Sequence, residues 1–151
     1  YDIDGEINGL ERKPNNLIPI VLETIMGKRK EVVVFGSDYD THDGSCIRDY
    51  IHVNDLAEAH LSALGYLESQ NQDLVVNLGT SKGLSVLEVL RIAREVSGTD
   101  FKYKLGPRRA GDPAVVLAKA SLAKKLLHWT PKNSDAKTLL ETSLRAYRKS
   151  S

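Results

Sequence analysis

Arginine side chains on two predicted loops are the residues of this sequence best suited to binding an anion. Arg48 lies in the stretch 41–55, where a loop containing Gly44 precedes apolar residues that alternate with polar ones, as in a half-buried extended segment. A guanidinium offers a rigid fork of donors that can bind phosphate oxygens in pairs. Spacing alone equally allows a salt bridge from Arg48 to Asp49 or Asp55 that merely fixes the loop.

A second basic loop, residues 106–113, carries Arg108 and Arg109. Loops held by a rigid scaffold are common places for binding residues. Together with Arg48, this pair could clamp a diphosphate, and Asp112 could accept hydrogen bonds from ribose or sugar hydroxyls. The alternative for the pair is a basic turn exposed to solvent.

The other reactive residue types do not form a complete catalytic set. The sequence has no Tyr-x-x-x-Lys pair and no G-x-G-x-x-G fingerprint, and residues 77–83 precede a predicted helix without the P-loop pattern. Cys46 is interpreted as a small packing residue. The four histidines show no metal-ligand spacing: His42, His52, His60 and His128. No residue therefore stands out as a general base.

Composition places the chain among ordinary globular proteins. Its 151 residues, 41% hydrophobic and 27% charged, suit one domain, and a net charge of +1 provides no general field for nucleic acid or an anionic membrane. The single cysteine cannot form an internal disulfide, which favours a reducing compartment. Because no apolar run approaches the ~20 residues of a membrane span and residues 1–6 are not a signal peptide, a soluble cytoplasmic protein is expected.

Helices and short strands must position these side chains. The apolar patterns predict a surface loop over residues 1–13, followed by alternating helices and strands. Val33–Phe35 lie in a strand that could pack a flat base, Asn54 is expected to cap the second helix, and a Ser85/Glu88 capping box starts the third. The predicted segments are a helix from 17 to 26, a strand over 32–36, a helix over 54–69, a strand over 74–78, a helix from 85 to 97, a strand over 101–105, an extended segment over 114–117, a short helix from a Ser121 cap to 127, and a helix from about 135.

This alternation argues for α/β architecture. The strands are too few and too short for a complete doubly wound sheet. The chain is therefore expected to be part of a larger fold.

Four segments, in this order along the chain, resemble the UDP-glucose 4-epimerases of the extended short-chain dehydrogenase/reductases. The long central one, from Phe35 to Ala57, is highly specific to these enzymes, and the set spans nearly the whole chain. The segments are Asn15–Pro19, Phe35–Ala57, Asn77–Gly79 and Arg108–Pro113.

The resemblance implies that residues 1–151 are one C-terminal substrate-binding domain of an extended Rossmann-type, NAD(P)-binding epimerase with mixed short strands and helices. In the family, the glycine fingerprint, the catalytic Ser or Thr and the Tyr-x-x-x-Lys pair precede the position of Tyr1. NAD is thus the expected cofactor of the full-length enzyme, and no catalytic or cofactor-binding residue is expected in this chain. We expect the chain alone to be an inactive part of an isomerase.

Residues of the first segments are expected to hold the nucleotide. By position in the family, Asn16 and Leu17 would touch the diphosphate region of UDP. Val33, Val34 and Phe35 would hold the uracil.

The remaining family positions concern the phosphates and sugars. Arg48 and Arg109 would neutralise the diphosphate, and Asp112 would bind ribose hydroxyls. Tyr50 and Val86 would line the pocket.

Val116 matches the family position thought to gate the substituent at C2 of the hexose. Some members have a bulky Tyr there. A valine leaves room for an N-acetyl group, so the resemblance makes a UDP-N-acetylhexosamine a possible substrate.

The family reaction moves a hydride from sugar C4 to NAD and returns it to the opposite face of the 4-keto sugar, which interconverts UDP-glucose and UDP-galactose. This chain would supply binding and positioning to that reaction. The full-length enzyme is expected to be a homodimer. The strand at 77–79 joins the N-terminal sheet in the family, so the chain alone is expected to expose a sheet edge and to dimerise, swap or aggregate.

Two alternatives remain open at this point. The chain could be a non-catalytic nucleotide-sugar binding module. It could also belong to another extended dehydrogenase/reductase, such as a pentose epimerase or a nucleotide-sugar dehydratase.

Overall fold

Five helices and five short strands make up the part of the chain that the computed structural model describes, residues 2–6, 9 and 13–149. The predicted α/β character and the short mixed strands are confirmed. The elements are α1 (Leu17–Ile25), β1 (Val32–Phe35), β2 (Ile47–Arg48), α2 (Val53–Gln70), β3 (Leu84–Ser85), α3 (Val86–Ser97), β4 (Tyr103–Gly106), β5 (Val115–Val116), α4 (Ser121–Leu127) and α5 (Ala136–Lys149).

The strands form two small sheets. β1 pairs with β4 in parallel, while β2 lies between β3, to which it is antiparallel, and β5, to which it is parallel. The second sheet brings residues from two distant parts of the chain, Leu84 of β3 and Val116 of β5, beside Arg48. None of the helices in the described ranges is long and apolar enough to cross a bilayer.

The main core lies where β1 packs against α1, α3 and α5. Val32 and Val34 are each 1% exposed and point into this core, as the two-residue period of a strand requires. Val33 and Phe35 therefore lie on the opposite face of β1. This alternation decides which residues of the predicted base-binding strand can meet a ligand.

A second apolar cluster surrounds Trp129, which is 4% exposed. The segment 74–78 packs on this cluster with alternating burial, and Val75 between its inward residues is 90% exposed. The prediction of a strand here is wrong for the described residues, because no neighbouring strand is hydrogen-bonded to it. The segment has the side-chain period of a strand without a partner.

Helix starts follow the predicted chemistry in part. The capping box of Ser85 and Glu88 is present at the start of α3. The prediction that Asn54 caps α2 is wrong, because the helix begins at Val53 and the ring of His52 accepts from the Asn54 N–H. The Asn54 side-chain oxygen instead accepts from the N–H of Ile3.

The predicted cap of α4 and the predicted surface loop at residues 1–13 have different outcomes. The residue that caps α4 is Ala120, without a side-chain hydrogen bond, so the predicted Ser121 cap is wrong. The surface loop predicted over residues 1–13 falls in part outside the described residues. In the described part, Gly5 is buried and its carbonyl accepts from Lys149 of α5 at 3.0 Å.

Candidate functional site

A cavity of about 380 Å³ opens between α1, β1, β2, the start of α3 and the loop 106–113. Eight of the eleven residues predicted to bind the ligand line it. They are Leu17, Val33, Phe35, Arg48, Tyr50, Val86, Arg109 and Asp112.

Three predicted residues lie outside this lining, each for a local reason. Asn16 is exposed at the start of α1, where its carbonyl accepts from Ile20. Val34 points into the core on the opposite face of β1. Val116 lies in β5 and lines a neighbouring hollow of about 390 Å³, of which Arg48 is also a wall.

Arg48 is held at the edge of the cavity by main-chain oxygens. One terminal nitrogen donates to the carbonyls of Ile47 at 2.9 Å and Pro113 at 3.0 Å, and the other lies 3.8 Å from a carboxylate oxygen of Asp112. The alternative of a salt bridge to Asp49 or Asp55 is wrong among the contacts described, because both carboxylates accept from other partners. Arg48 thus forms only a long ion pair with Asp112, which an anionic ligand can replace.

Arg109 lies over the ring of Phe35, with its guanidinium carbon 3.8 Å from the ring centre. This distance suits a cation–π contact. The described residues offer Arg109 no carboxylate within ion-pair distance. Its charge is therefore available to a ligand that reaches the cavity beside the ring.

The neighbouring Arg108 faces away from this pair. It donates from Nε to the carboxylate of Asp38 at 2.8 Å and lies 4.3 Å from the centre of the Tyr39 ring. Hydrogen bonding to Arg108 lowers the pKa of Asp38, and the same contact raises the pKa of Arg108. The structure therefore separates the two arginines that the sequence presents together, and Arg108 serves the loop.

Tyr50 contributes a neutral phenol to the cavity wall. Burial raises the pKa of Tyr50 to about 12, although nearby Arg48 opposes the shift. The hydroxyl therefore stays protonated at physiological pH and can donate a hydrogen bond.

The turn before β2 is fixed by the carboxylate of Asp43. It accepts from the N–H of Ser45 at 2.9 Å, from the Ser45 hydroxyl at 2.8 Å and from the hydroxyl of Ser85. Gly44 has φ +80°, and a Cβ there would lie 2.3 Å from the carbonyl oxygen of Ser37, so only glycine fits. These contacts join the start of β2 to the start of α3, which carries Val86.

The structure adds cavity residues that the sequence did not suggest. Arg29, Glu31 and Cys46 also line the cavity, and Cys46 is 5% exposed. Glu31 pairs with Lys104 at 2.6 Å, and this hydrogen bond lowers the pKa of Glu31. A signal was available, because the charged turn 28–31 directly precedes the predicted base-binding strand.

The residues present do not make a dinucleotide site. The printed sequence contains no G-x-G-x-x-G fingerprint. In the described residues, the longer parallel pair consists of two four-residue strands, β1 and β4. A dinucleotide crevice needs a wider parallel sheet and a glycine-rich turn before a helix, and the described residues form neither.

Comparison with known proteins gives consistent relationships. The model of the NAD dependent epimerase/dehydratase family matches residues 5–79. A UDP-glucose 4-epimerase of Halalkalibacterium halodurans is 45% identical over 140 residues, which is 93% of this chain and 42% of that protein. The chain therefore spans about two fifths of the length of the curated relatives it matches.

Solved structures give the same relationship. A UDP-glucose-4-epimerase from Stenotrophomonas maltophila with bound NAD and formylated UDP-arabinopyranose has a TM-score of 0.94 and 39% identity, covering 98% of this chain and 44% of that one. The UDP-Glc/GlcNAc 4-epimerase of Campylobacter jejuni has a TM-score of 0.84 and 41% identity, covering 96% of this chain and 45% of that one.

Proposed function

Because this chain belongs to the NAD dependent epimerase/dehydratase family, we propose that it is the UDP-hexose-binding part of a UDP-glucose 4-epimerase. The observation that carries the proposal is the convergence of Arg48, Arg109 and Asp112 on one cavity. Two guanidinium groups and one carboxylate match the phosphates and hydroxyls of a nucleoside diphosphate.

The base end of the cavity suits a uracil. Phe35 and Val33 present an aromatic and a branched apolar side chain on the face of β1 that is turned away from the core. A planar base can lie against such a surface. Arg109, which lies over the Phe35 ring, lines the same cavity as Arg48.

The hexose end is assigned to the hollow beside the cavity. Arg48 borders both spaces, so a sugar attached to a diphosphate at Arg48 would extend into the hollow lined by Val116 and Asp49. Val116 is 48% exposed and small. We propose that this space admits an N-acetyl group at C2 as well as a hydroxyl, in line with the UDP-Glc/GlcNAc 4-epimerase among the solved relatives.

The role of this chain in the reaction is binding and orientation. In the full-length enzyme, NAD would supply the hydride chemistry at sugar C4, and the solved relative with bound NAD supports this proposal. Arg48 and Arg109 hold the diphosphate, and the hollow holds the sugar, so the reacting carbon is placed by contacts remote from it. The chain alone is proposed to lack epimerase activity.

Calorimetric titration of this chain with UDP tests the proposal. Saturable binding is expected, with ADP binding more weakly because the apolar face of β1 is proposed to fit the smaller pyrimidine. Equal affinity for the two nucleotides would contradict the base assignment. The absence of UDP binding would contradict the proposal that this chain forms the nucleotide site by itself, and epimerase activity of the chain alone would contradict its purely binding role.

A further inference from the structure

The carboxylate of Asp49 joins two loops that are remote in the sequence. One oxygen accepts from the N–H of Thr80 at 2.8 Å and from its hydroxyl at 2.5 Å. The other accepts from the N–H of Ser81 at 3.0 Å and of Ala118 at 3.2 Å. One side chain thus fixes the separation between the loop after residue 79 and the segment after β5.

All four donors to Asp49 are uncharged, and three are main-chain N–H groups. The described residues place no Lys, Arg or His within ion-pair distance of it. Burial raises the pKa of Asp49, but the hydrogen bonds from Thr80, Ser81 and Ala118 outweigh burial and leave the pKa below its ordinary value. The group is therefore an ionised acceptor whose partners are positions of the backbone rather than charges.

The β-ladder beside Asp49 is too short to hold β5 alone. β2 and β5 are two residues each, and their flanking hydrogen bonds run from Ile47 N to Ala114 O at 2.8 Å and from Asp49 N to Val116 O at 3.2 Å. Asp49 thus binds the segment that contains β5 at two points: its main-chain N–H donates to Val116, and its carboxylate accepts from Ala118. Short strands with few ladder bonds depend on such added contacts.

Gly79 makes room for this arrangement. A Cβ at position 79 would lie 2.6 Å from a carboxylate oxygen of Asp49 and 2.6 Å from the Cβ of Ala118. Both distances are too short for real contacts. A side chain at position 79 would therefore displace the carboxylate or the segment it holds.

We propose that Asp49 is a positioning residue for the hexose end of the site, and that its four hydrogen bonds hold Val116 beside Arg48. Val116 and Arg48 are register partners in the β2–β5 pair, and both line the hollow. The identity of the ligand rests on the proposed function above. The position of Val116 relative to Arg48 is a feature of the ligand-free structure and does not depend on that function.

The ligand-free chain tests the geometry by nuclear magnetic resonance. In the wild type, the amide signals of Thr80, Ser81 and Ala118 are expected to shift with pH in one step of shared midpoint, because one carboxylate accepts from all three. Asp49→Asn places an amide NH₂ against these donors, so the common step and the magnetisation transfer between Val116 and Arg48 should both be lost.

Binding supplies the second readout. For Asp49→Asn, UDP affinity is expected to change less than about twofold, while UDP-glucose affinity falls on the order of fivefold, the effect of losing a set of oriented hydrogen bonds. Asp135→Asn is the matched control, since its carboxylate accepts from Thr138 at the start of α5. This control should leave both affinities and the Val116 signals unchanged.

The possible outcomes distinguish failure of the positioning role of Asp49 from failure of the proposed UDP-hexose-binding function. Retained transfer between Val116 and Arg48 in Asp49→Asn, or equal losses for UDP and UDP-glucose, would overturn the positioning role. Failure of the wild type to bind UDP would count against the proposed function, while the ligand-free signals would still decide the role of Asp49. If Asp49→Asn does not fold, Thr80→Val removes one donor and should weaken the same signals partially.

Discussion

The guanidinium of Arg48 in β2 lies 3.8 Å from the carboxylate of Asp112 in the loop 106–113. Both side chains are partly exposed, at 26% and 38%, so the attraction is screened by water and contributes little to stability. A diphosphate can bind Arg48 more closely than this carboxylate does, leaving Asp112 to accept from a hydroxyl. The pair is thus better suited to receiving a ligand than to fixing the loop.

Replacing either cavity arginine should weaken UDP binding. Arg48→Ala and Arg109→Ala are each expected to cost about 2 kcal/mol, or roughly 30-fold in Kd, because each removes a charge-assisted contact in a partly desolvated site. Titration calorimetry measures the loss. Arg91→Ala is the control, since that guanidinium pairs with Glu95 on the exposed face of α3. Losses equal to the control would mean that the arginines do not contact the nucleotide.

A larger side chain at Val116 should narrow the choice of sugar. Val116→Tyr is expected to reduce binding of UDP-N-acetylglucosamine by roughly tenfold or more while changing UDP-glucose little, because the ring would fill the space beside C2. Competition titrations with the two UDP-sugars measure the ratio. Val115→Tyr, at the neighbouring exposed position of β5 outside the hollow, is the control. An unchanged ratio in Val116→Tyr would place the C2 substituent elsewhere.

The buried carboxylate of Asp55 should be a major source of stability. It is 0% exposed and accepts from the N–H groups of Lys132 and Asn133 and from the Ser134 hydroxyl. Asp55→Asn should lower the free energy of unfolding by about 3 kcal/mol, since the amide turns an NH₂ group toward these donors. Urea denaturation measures the loss.

The control for Asp55 is a carboxylate that caps a helix at the surface. Asp135→Asn affects a bond to Thr138 at 3.0 Å and is expected to cost about 1 kcal/mol or less. A loss for Asp55→Asn no larger than this would show that the network around residue 55 rearranges without cost.

Stability should fall as the pH drops below about 6.5, the ordinary value for histidine. Burial lowers the pKa of His52, while Asp55 opposes the shift. In the neutral ring, Nδ1 accepts from the Asn54 N–H and Nε2 lies 3.1 Å from the Thr142 hydroxyl. The unfolded chain therefore binds a proton at a higher pH than the folded one, so acid favours unfolding in this window.

Thermal unfolding between pH 7 and pH 5 measures the contribution of His52. His52→Asn retains a side chain able to accept at the helix start but does not titrate, so much of the pH dependence in this window should disappear. His60→Asn, at an exposed position of α2, should leave the dependence unchanged. Identical slopes in wild type and His52→Asn would contradict the assignment.

The isolated chain should self-associate. α2 exposes Leu61 at 71% and Leu64 at 54%, and the extended segment 74–78, which pairs with no strand among the described residues, exposes Val75 at 90%. Exposed apolar groups of this size next to an unpaired extended segment favour contact between copies. Sedimentation velocity at increasing concentration should show dimers or larger species.

Charge on this face should reverse the association. Leu61→Lys combined with Leu64→Lys is expected to shift the chain toward monomer, whereas Leu122→Lys on α4, where the leucine is 44% exposed, should not. A monodisperse wild-type monomer across the whole range would contradict the prediction.

Local patterns predicted most of the elements because the forces behind them act over a few residues. The capping box at Ser85 and the β-branched run of β1 are short-range features, and both are found in the structure. The Asn54 cap failed because the neighbouring His52 ring could accept the same kind of hydrogen bond. The strand at 74–78 failed because a side-chain period cannot reveal whether a partner strand lies alongside.

By itself, the sequence determined the α/β character, the order of the five helices and the resemblance that names the ligand class. Only the tertiary structure decided that Arg109 turns toward Phe35 while Arg108 turns toward Asp38. It also revealed that the acidic neighbours of Arg48 in the sequence bind other loops. The physical reason is that these choices depend on packing between residues distant along the chain, where small differences in backbone direction decide which donors and acceptors meet.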